Sequence, residues 1–246
     1  MKIATWNVKR PYPRSRKNPK RIRLLLELNA DIIVLTETHS AIDLGSRYSG
    51  HQTEPSYRKP RPGEAVAAVW INTDRYRIVS QIPTSDPTEA ICLEIESEDK
   101  RYLVYGSILP YHGAKAKDGE AKVWDLHKKA IEWHKEDWKQ LRKDFPDHVL
   151  ITAGDYNQHR DGVGKYGTKE VRDLLTKALL ESGLACVTEI DLVENGKLKR
   201  SNIDHICVPS EFKPKVTKVD AWEGTVERDE LSDHSGVWID IDFKDQ

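Results

Sequence analysis

The apolar residues of this chain come mostly in short runs, and that grain limits the fold more than any other feature. Runs of roughly five to seven residues suit strands rather than helices. Residues 2–8, 31–35, 65–71, 76–81, 90–96, 102–108, 148–153, 203–208 and 236–241 each read as a strand. The turn-rich pieces Asn72-Thr73-Asp74 and Ser97-Glu98-Asp99-Lys100 separate the four middle runs, which predicts an antiparallel meander there. Helical spacing occurs over 19–29, 117–143 and 168–182. The longest of these places Val123, His127, Ala130, Ile131, His134, Trp138 and Leu141 three and four residues apart. A helix between the first two strands makes them candidates for parallel neighbours. No linker or shift in composition divides the elements, so a single α+β domain over residues 1–246 is expected.

Hydrophobic residues are 38% of the chain, with 7 Trp and 9 Tyr, enough apolar mass for a sizeable core. Lys and Arg number 39 against 40 Asp and Glu, a net charge of −1, which argues against coating nucleic acid by bulk electrostatics. Cys92, Cys186 and Cys207 are far apart and form no CxxC pair, so neither a cysteine zinc site nor a disulfide framework is expected. There is no apolar run long enough for a membrane span, and the start does not resemble a signal peptide. A reducing, cytoplasmic location is the expectation, and nothing points to a protein partner.

Five runs meet polar residues that a plain strand would not need. Trp6-Asn7 closes the first, where the amide competes with ladder bonding; an ordinary turn residue would look the same. Thr36-Glu37-Thr38-His39 follows residues 31–35, and a carboxylate at the end of a buried strand suits a hard cation, although a solvated loop acid is the plain alternative. Gly154-Asp155-Tyr156-Asn157 follows residues 149–153. If the extended backbone continues, Asp155 and Asn157 point to one side, where they could orient a water and bond an oxyanion. Asx-turn chemistry would explain the same residues. Asp204, in Asn202-Ile203-Asp204-His205-Ile206, sits inside an apolar strand and needs a partner; a structural Arg or Lys would serve. Ser232-Asp233-His234-Ser235 precedes the last strand, where a cap or turn would also place it.

Taken together and in this order, the elements resemble the endonuclease/exonuclease/phosphatase superfamily with its DNase I-like fold. The resemblance rests on Thr5-Trp6-Asn7, the Glu37 of Leu-Thr-Glu-Thr, Gly-Asp-Tyr-Asn at 154–157, Ile-Asp-His at 203–205 and Ser-Asp-His at 232–234, and it covers nearly the whole chain. It implies a four-layered α/β sandwich, two mixed β-sheets packed face to face with helices outside. It also implies cleavage of phosphoester bonds with a divalent metal, Mg²⁺ or alternatively Mn²⁺. In that family pattern Asn7, Glu37 and Asp233 form the metal end. Asp155 deprotonates the attacking water, Asn157 bonds the scissile phosphate, and Asp204 fixes His234 facing it.

Two positions depart from the pattern. Lys9 stands where some repair endonucleases of the family carry an acid. The middle strand lacks the usual Tyr or His shortly before its proline. Tyr105, Tyr111 or His112 could supply that contact, and Tyr111 and His112 are the better choices because the loop after the strand should overhang the site. Lys9, Arg10, Arg14, Arg16, Lys17, Lys20, Arg21 and Arg23 form a basic segment free of acids directly after Asn7, with Arg58, Lys59 and Arg61 as a second basic loop. Arg14 and Arg16 are therefore expected to track a polyphosphate backbone, with Tyr12 and Tyr57 beside them able to stack on bases. A nuclease or phosphodiesterase acting on nucleic acid is the leading expectation. A phosphatase of a small phosphate ester, nucleotide or phosphoinositide is the alternative.

Overall fold

The structure, a computed structural model, describes residues 1–56, 60–98, 100–114 and 122–243. In chain order the strands are β1 (Lys2–Asn7), β2 (Ile32–His39), β3 (Tyr48–Gln52), β4 (Glu64–Asn72), β5 (Arg77–Ile82), β6 (Ala90–Glu96), β7 (Arg101–Ile108), β8 (Val149–Asp155), β9 (Leu184–Cys186), β10 (Asp204–Pro209), β11 (Val216–Trp222), β12 (Thr225–Val226), β13 (Asp229–Glu230) and β14 (Gly236–Ile241). The helices are α1 (Asn18–Glu27), α2 (Asp125–Asp144) and α3 (Lys169–Glu181). Two six-stranded sheets result, in the orders β11-β14-β1-β2-β4-β3 and β5-β6-β7-β8-β10-β9. Each is mixed: β1 with β2 and β7 with β8 are parallel, and the other pairings are antiparallel.

Strand alternation makes the layers. On β1 Ile3 faces the second sheet, while Ala4 and Trp6 face α1. Ile151 and Ala153 of β8 and Ile206 and Val208 of β10 meet the first sheet in the shared core, whereas Leu150 and Cys207 turn outward to α2 and α3. The order is therefore α1, first sheet, second sheet, then α2 with α3, the four-layered sandwich that the motifs implied. All three cysteines are free and buried. No helix among the described residues is long and apolar enough to cross a membrane.

The meander is shorter than expected. β5, β6 and β7 form it, but β4 belongs to the other sheet, paired with β2 and β3. β3 (Tyr-Ser-Gly-His-Gln) has no apolar run to betray it, so the chain's change of sheet at the Asn72–Tyr76 turn is invisible in the pattern. The long helix begins at Asp125 rather than 117, because Trp124 takes a left-handed φ of 71° at its N-cap. Val123 thus lies outside the helix and exposed, and residues 115–121 lie outside those described. The apolar face from His127 to Leu141 is buried as its spacing requires.

Candidate active site

The alternation that builds the core also delivers the polar cluster. Asn7, Asp155 and Asp204 continue the inter-sheet faces of β1, β8 and β10 beyond the last apolar residue, and Asp204 lies directly opposite Asp155 in the β8–β10 register. All three are nearly inaccessible. Asn7 donates its amide Nδ2–H to Asp155 Oδ2 at 2.9 Å, and its backbone N–H to Asp204 Oδ1 at 3.0 Å. Asp204 Oδ2 accepts from His234 Nδ1 at 2.7 Å. Two rigid sheets thus hold one hydrogen-bonded chain running from Asp155 through Asn7 and Asp204 to His234.

Ser232 joins the last loop to the first strand. Its hydroxyl donates to Asn7 O at 2.6 Å and accepts the His234 backbone N–H at 3.1 Å. Trp6 Nε1–H donates to His234 O at 3.0 Å, fixing the same turn from the α1 side. Both residues belong to recognised motifs, yet nothing in their spacing announces these jobs, since each acts through a backbone atom some 200 residues away in the chain.

Asp155 and Asn157 meet by a different route from the one expected. The extended conformation stops at β8, and Asn157 adopts a left-handed φ of 47°. Its backbone N–H reaches Asp155 Oδ1 at 2.9 Å in an Asx turn. Its two amide hydrogens go to Leu109 O at 2.8 Å and Asp155 Oδ2 at 3.1 Å. Asn157 is thus a brace for Asp155, and a contact to phosphate requires it to release one of these acceptors.

Charge follows from burial and neighbours. Burial is the largest influence on Asp155 and, with Asp204 opposite, pushes it up to about 7 against the pull of the His234 charge and the Asn7 hydrogen bond. Burial pushes His234 down, but the Asp204 and Asp155 carboxylates outweigh it and raise the imidazole to about 10. Asp155, Asp204 and His234 bring ligand atoms within 4.8 Å of one another. An imidazolium paired with a carboxylate has no lone pair to give, so this trio suits proton handling better than metal binding.

Of the residues expected at the metal end, Glu37 and Asp233 lie in the wall of an adjoining cleft of about 440 Å³, together with Asp155, Asn157, His234 and Tyr111. Glu37 and Asp233 offer carboxylate oxygens there, the hard donors that Mg²⁺ and Mn²⁺ take, and Mg²⁺ needs few protein ligands because it retains waters. The donor set therefore fits the ion. Asn7, expected beside Glu37 and Asp233, is not part of this cleft's wall, and its Oδ1 accepts the Lys9 backbone N–H at 2.9 Å. Lys9, in place of an acid, pairs with Asp233 at 3.1 Å and Glu230 at 3.2 Å.

The middle-strand positions also separate. Tyr105 is fully buried and bonds His134 and Asp137, away from the cleft. Tyr111 lines the cleft, half exposed. His112 is off its wall and hydrogen-bonded to Tyr166 at 3.0 Å. Much of the basic segment is taken up by packing: Lys17 donates to the Glu230 carbonyl of β13, Lys20 reaches Asp229 of β13 and Glu227 of the hairpin turn, and Arg21 donates to Leu231 O. Arg14 and Arg16 are exposed, outside the cleft wall, and without an ion pair among the described residues. Arg61 lies over the Tyr12 ring at 4.0 Å, while Tyr57, Arg58 and Lys59 fall outside the described residues.

A second hollow of about 340 Å³ shares Asn157, Asp233 and His234 with the first and extends past Tyr166 and Arg200. His127 of α2, read from the sequence only as core, clamps the loops between the two. Its Nδ1–H donates to Pro110 O at 2.7 Å, and its Nε2 accepts from Gln158 Nε2–H at 3.0 Å, so the ring is neutral. Burial holds it down to about 4. The unfolded ring, near 6.5, binds its proton first, so this contribution is complete above pH 6.5 and is lost as pH falls toward 4. The loss amounts to about 3 kcal/mol. Melting curves of wild type and His127→Gln between pH 7 and 4.5 should show a flatter acid limb in the variant; parallel limbs would refute the assignment.

Similarity to known proteins agrees with the geometry. The profile of the Endonuclease/Exonuclease/phosphatase family matches residues 4–234. No curated protein matches the chain. Among solved structures, an AP endonuclease from Leishmania major is 15% identical with a TM-score of 0.71, over 97% of this chain and 86% of that one. A 3′ phosphatase from Neisseria bound to product DNA hairpin is 16% identical with a TM-score of 0.68, over 99% and 100%. The D. rerio TDP2 complexed with single strand DNA product is 17% identical with a TM-score of 0.63, over 97% of both chains. At such identities these structures speak for the fold, while the profile match over nearly all residues speaks for descent: the chain belongs to the endonuclease/exonuclease/phosphatase family, whose members are hydrolases acting on phosphoesters.

Proposed function

We propose that the protein is a Mg²⁺-dependent nuclease or phosphodiesterase, with Mn²⁺ as an alternative, that hydrolyses nucleic-acid phosphodiester bonds by attack of water activated by Asp155. The observation carrying this reading is the joining of Asp155, Asn7, Asp204 and His234 by short hydrogen bonds at the edge of a cleft that also presents Glu37 and Asp233.

Asp155, with its pKa brought near neutrality, accepts the proton of the attacking water. The Asp204–His234 pair keeps Nδ1 occupied and leaves Nε2–H to donate to a phosphate oxygen as negative charge gathers there. Asn157 keeps Asp155 in one orientation. Glu37 and Asp233 would hold the metal, which when bound supplies charge neutralisation at the phosphate and the leaving oxygen. Tyr111 on the rim is the contact beside the phosphate, with His112 behind it, and Arg14 and Arg16 would hold flanking phosphates.

A diester is favoured over a small monoester by the two hollows that meet at Asn157, Asp233 and His234, since they leave room on both sides of a phosphate held there. Two neighbours bound to DNA products support a nucleic-acid substrate. The alternative, a phosphatase, draws on the neighbour called a 3′ phosphatase. A panel of single-stranded, duplex and abasic DNA, RNA, nucleotides and inositol phosphates, each with Mg²⁺, Mn²⁺ or chelator, decides between them. Oligonucleotide cleavage that falls by roughly 10²-fold or more on chelation is expected. Turnover confined to monoesters would replace this reading with the alternative, and full activity under chelator would remove both.

A further inference from the structure

Four described residues outside glycine adopt left-handed backbone around this one cleft: Lys9 (φ 56°), Arg10 (φ 43°), Glu37 (φ 45°) and Asn157 (φ 47°). Such conformations persist only where surrounding contacts enforce them. At Lys9 and Arg10 the contacts are explicit. The Lys9 N–H donates to Asn7 Oδ1 at 2.9 Å, the Arg10 N–H to Glu37 O at 2.5 Å, and Arg10 O accepts from Arg61 at 2.8 Å. The main chain is pinned on three sides. The two side chains are not: each is about half exposed, and each rests on a carboxylate suited to the metal, Arg10 Nε 3.4 Å from Glu37 Oε2 and Lys9 Nζ 3.1 Å from Asp233 Oδ2.

We propose that Lys9 and Arg10 are exchangeable counter-ions: in the free protein they occupy Glu37 and Asp233, and when a divalent cation takes those carboxylates they turn to the phosphates of the substrate. This inference rests on the metal-site reading given above. Exposed single-charge pairs are weak, so a divalent cation displaces them readily. A guanidinium and an ammonium released on a fixed backbone beside the reacting phosphate are groups that bind phosphate oxygens well, the guanidinium in bidentate fashion. Lys9 in place of an acid then becomes a functional exchange: one anionic ligand is given up for a cation that balances Asp233 when the metal is absent and holds phosphate when it is present.

The test uses Mn²⁺ alone, titrated calorimetrically into the full-length protein without substrate. Arg10→Ala and Lys9→Ala should each bind Mn²⁺ about threefold or more tightly than wild type, because the competing cation is gone. Glu37→Ala should weaken binding. In saturating Mg²⁺ the same two cation variants should raise KM for an oligonucleotide about tenfold or more, as expected for a lost charged contact to phosphate. Unchanged or weaker Mn²⁺ binding in Arg10→Ala and Lys9→Ala, with wild-type binding still dependent on Glu37, overturns the inference and leaves the metal site standing. Loss of any Glu37 dependence overturns both.

Discussion

Asp155→Ala lowers kcat for phosphodiester hydrolysis by roughly 10³- to 10⁴-fold, with far smaller effect on oligonucleotide binding. The expectation follows from position. Asp155 lines the cleft, is buried, and is raised to about 7, which is the charge behaviour wanted of a general base near neutral pH. His234→Ala should lose a comparable factor, because the Nε2–H donor disappears. Asp204→Asn should cost less, and combining it with His234→Ala should add little beyond the fall in the Asp155 pKa that losing the facing charge brings, since the proposed path from Asp204 to the phosphate runs through His234. Asn is the better replacement at 204: Ala would strip the acceptor from the buried Asn7 N–H, at about 1–3 kcal/mol of stability. Single-turnover rates with melting curves for each variant separate chemistry from folding. If Asp155→Ala keeps more than a tenth of wild-type kcat, the base has been misassigned.

Which parts of this arrangement could be read before the structure depended on the range over which each residue acts. Asn7, Asp155 and Asp204 are legible because a strand has period two, so a polar residue in phase with the inward apolar positions must end up between the sheets. His127 is legible only as core, and Trp6 only as the neighbour of Asn7 in its motif. Their apolar rings fit the pattern, and the polar atom that steadies a loop of the site leaves no trace in it. The edge strands β3 and β11 escaped for the opposite reason: half of each is solvated, so Ser49, His51, Lys218 and Asp220 break the apolar run. The basic segment misled because composition counts charges and not partners. The acids that pair with Lys20, Glu227 and Asp229, and the Glu230 carbonyl that takes Lys17 lie more than 200 residues later, in the β12–β13 hairpin and its turn. Arg14 and Arg16 stay exposed, and Lys9 and Arg10 are half exposed on the carboxylates of the cleft, so the free positive charge is a much smaller track than the sequence suggested.

Gly154→Ala should be the most damaging single substitution at a residue with no functional atom. Gly154 has φ of +147°, a region that only glycine enters freely. A Cβ built there would lie 1.8 Å from the Ser107 carbonyl oxygen. That oxygen is main chain in the parallel partner strand, in register with Gly154, and cannot swing aside as a side-chain tip would. Relief requires β7 and β8 to part at the pair just before Ile108 and Asp155, and with them goes the bond from the Leu109 N–H to Asp155 O. Backbone strain and a broken ladder together should cost about 4 kcal/mol or more, enough to unfold a marginally stable domain. Gly45→Ala is the control: φ is also positive, at 77°, but nothing lies within 4 Å, so only the left-handed penalty of about 1–2 kcal/mol applies. Denaturant midpoints for the two variants measure the difference. If Gly154→Ala loses no more than Gly45→Ala, the close approach of β7 and β8 is not what holds Asp155 at the edge of the cleft. If it folds with reduced stability, kcat should fall by more than about 10²-fold, because a shift of roughly 1 Å in a base is enough to do so.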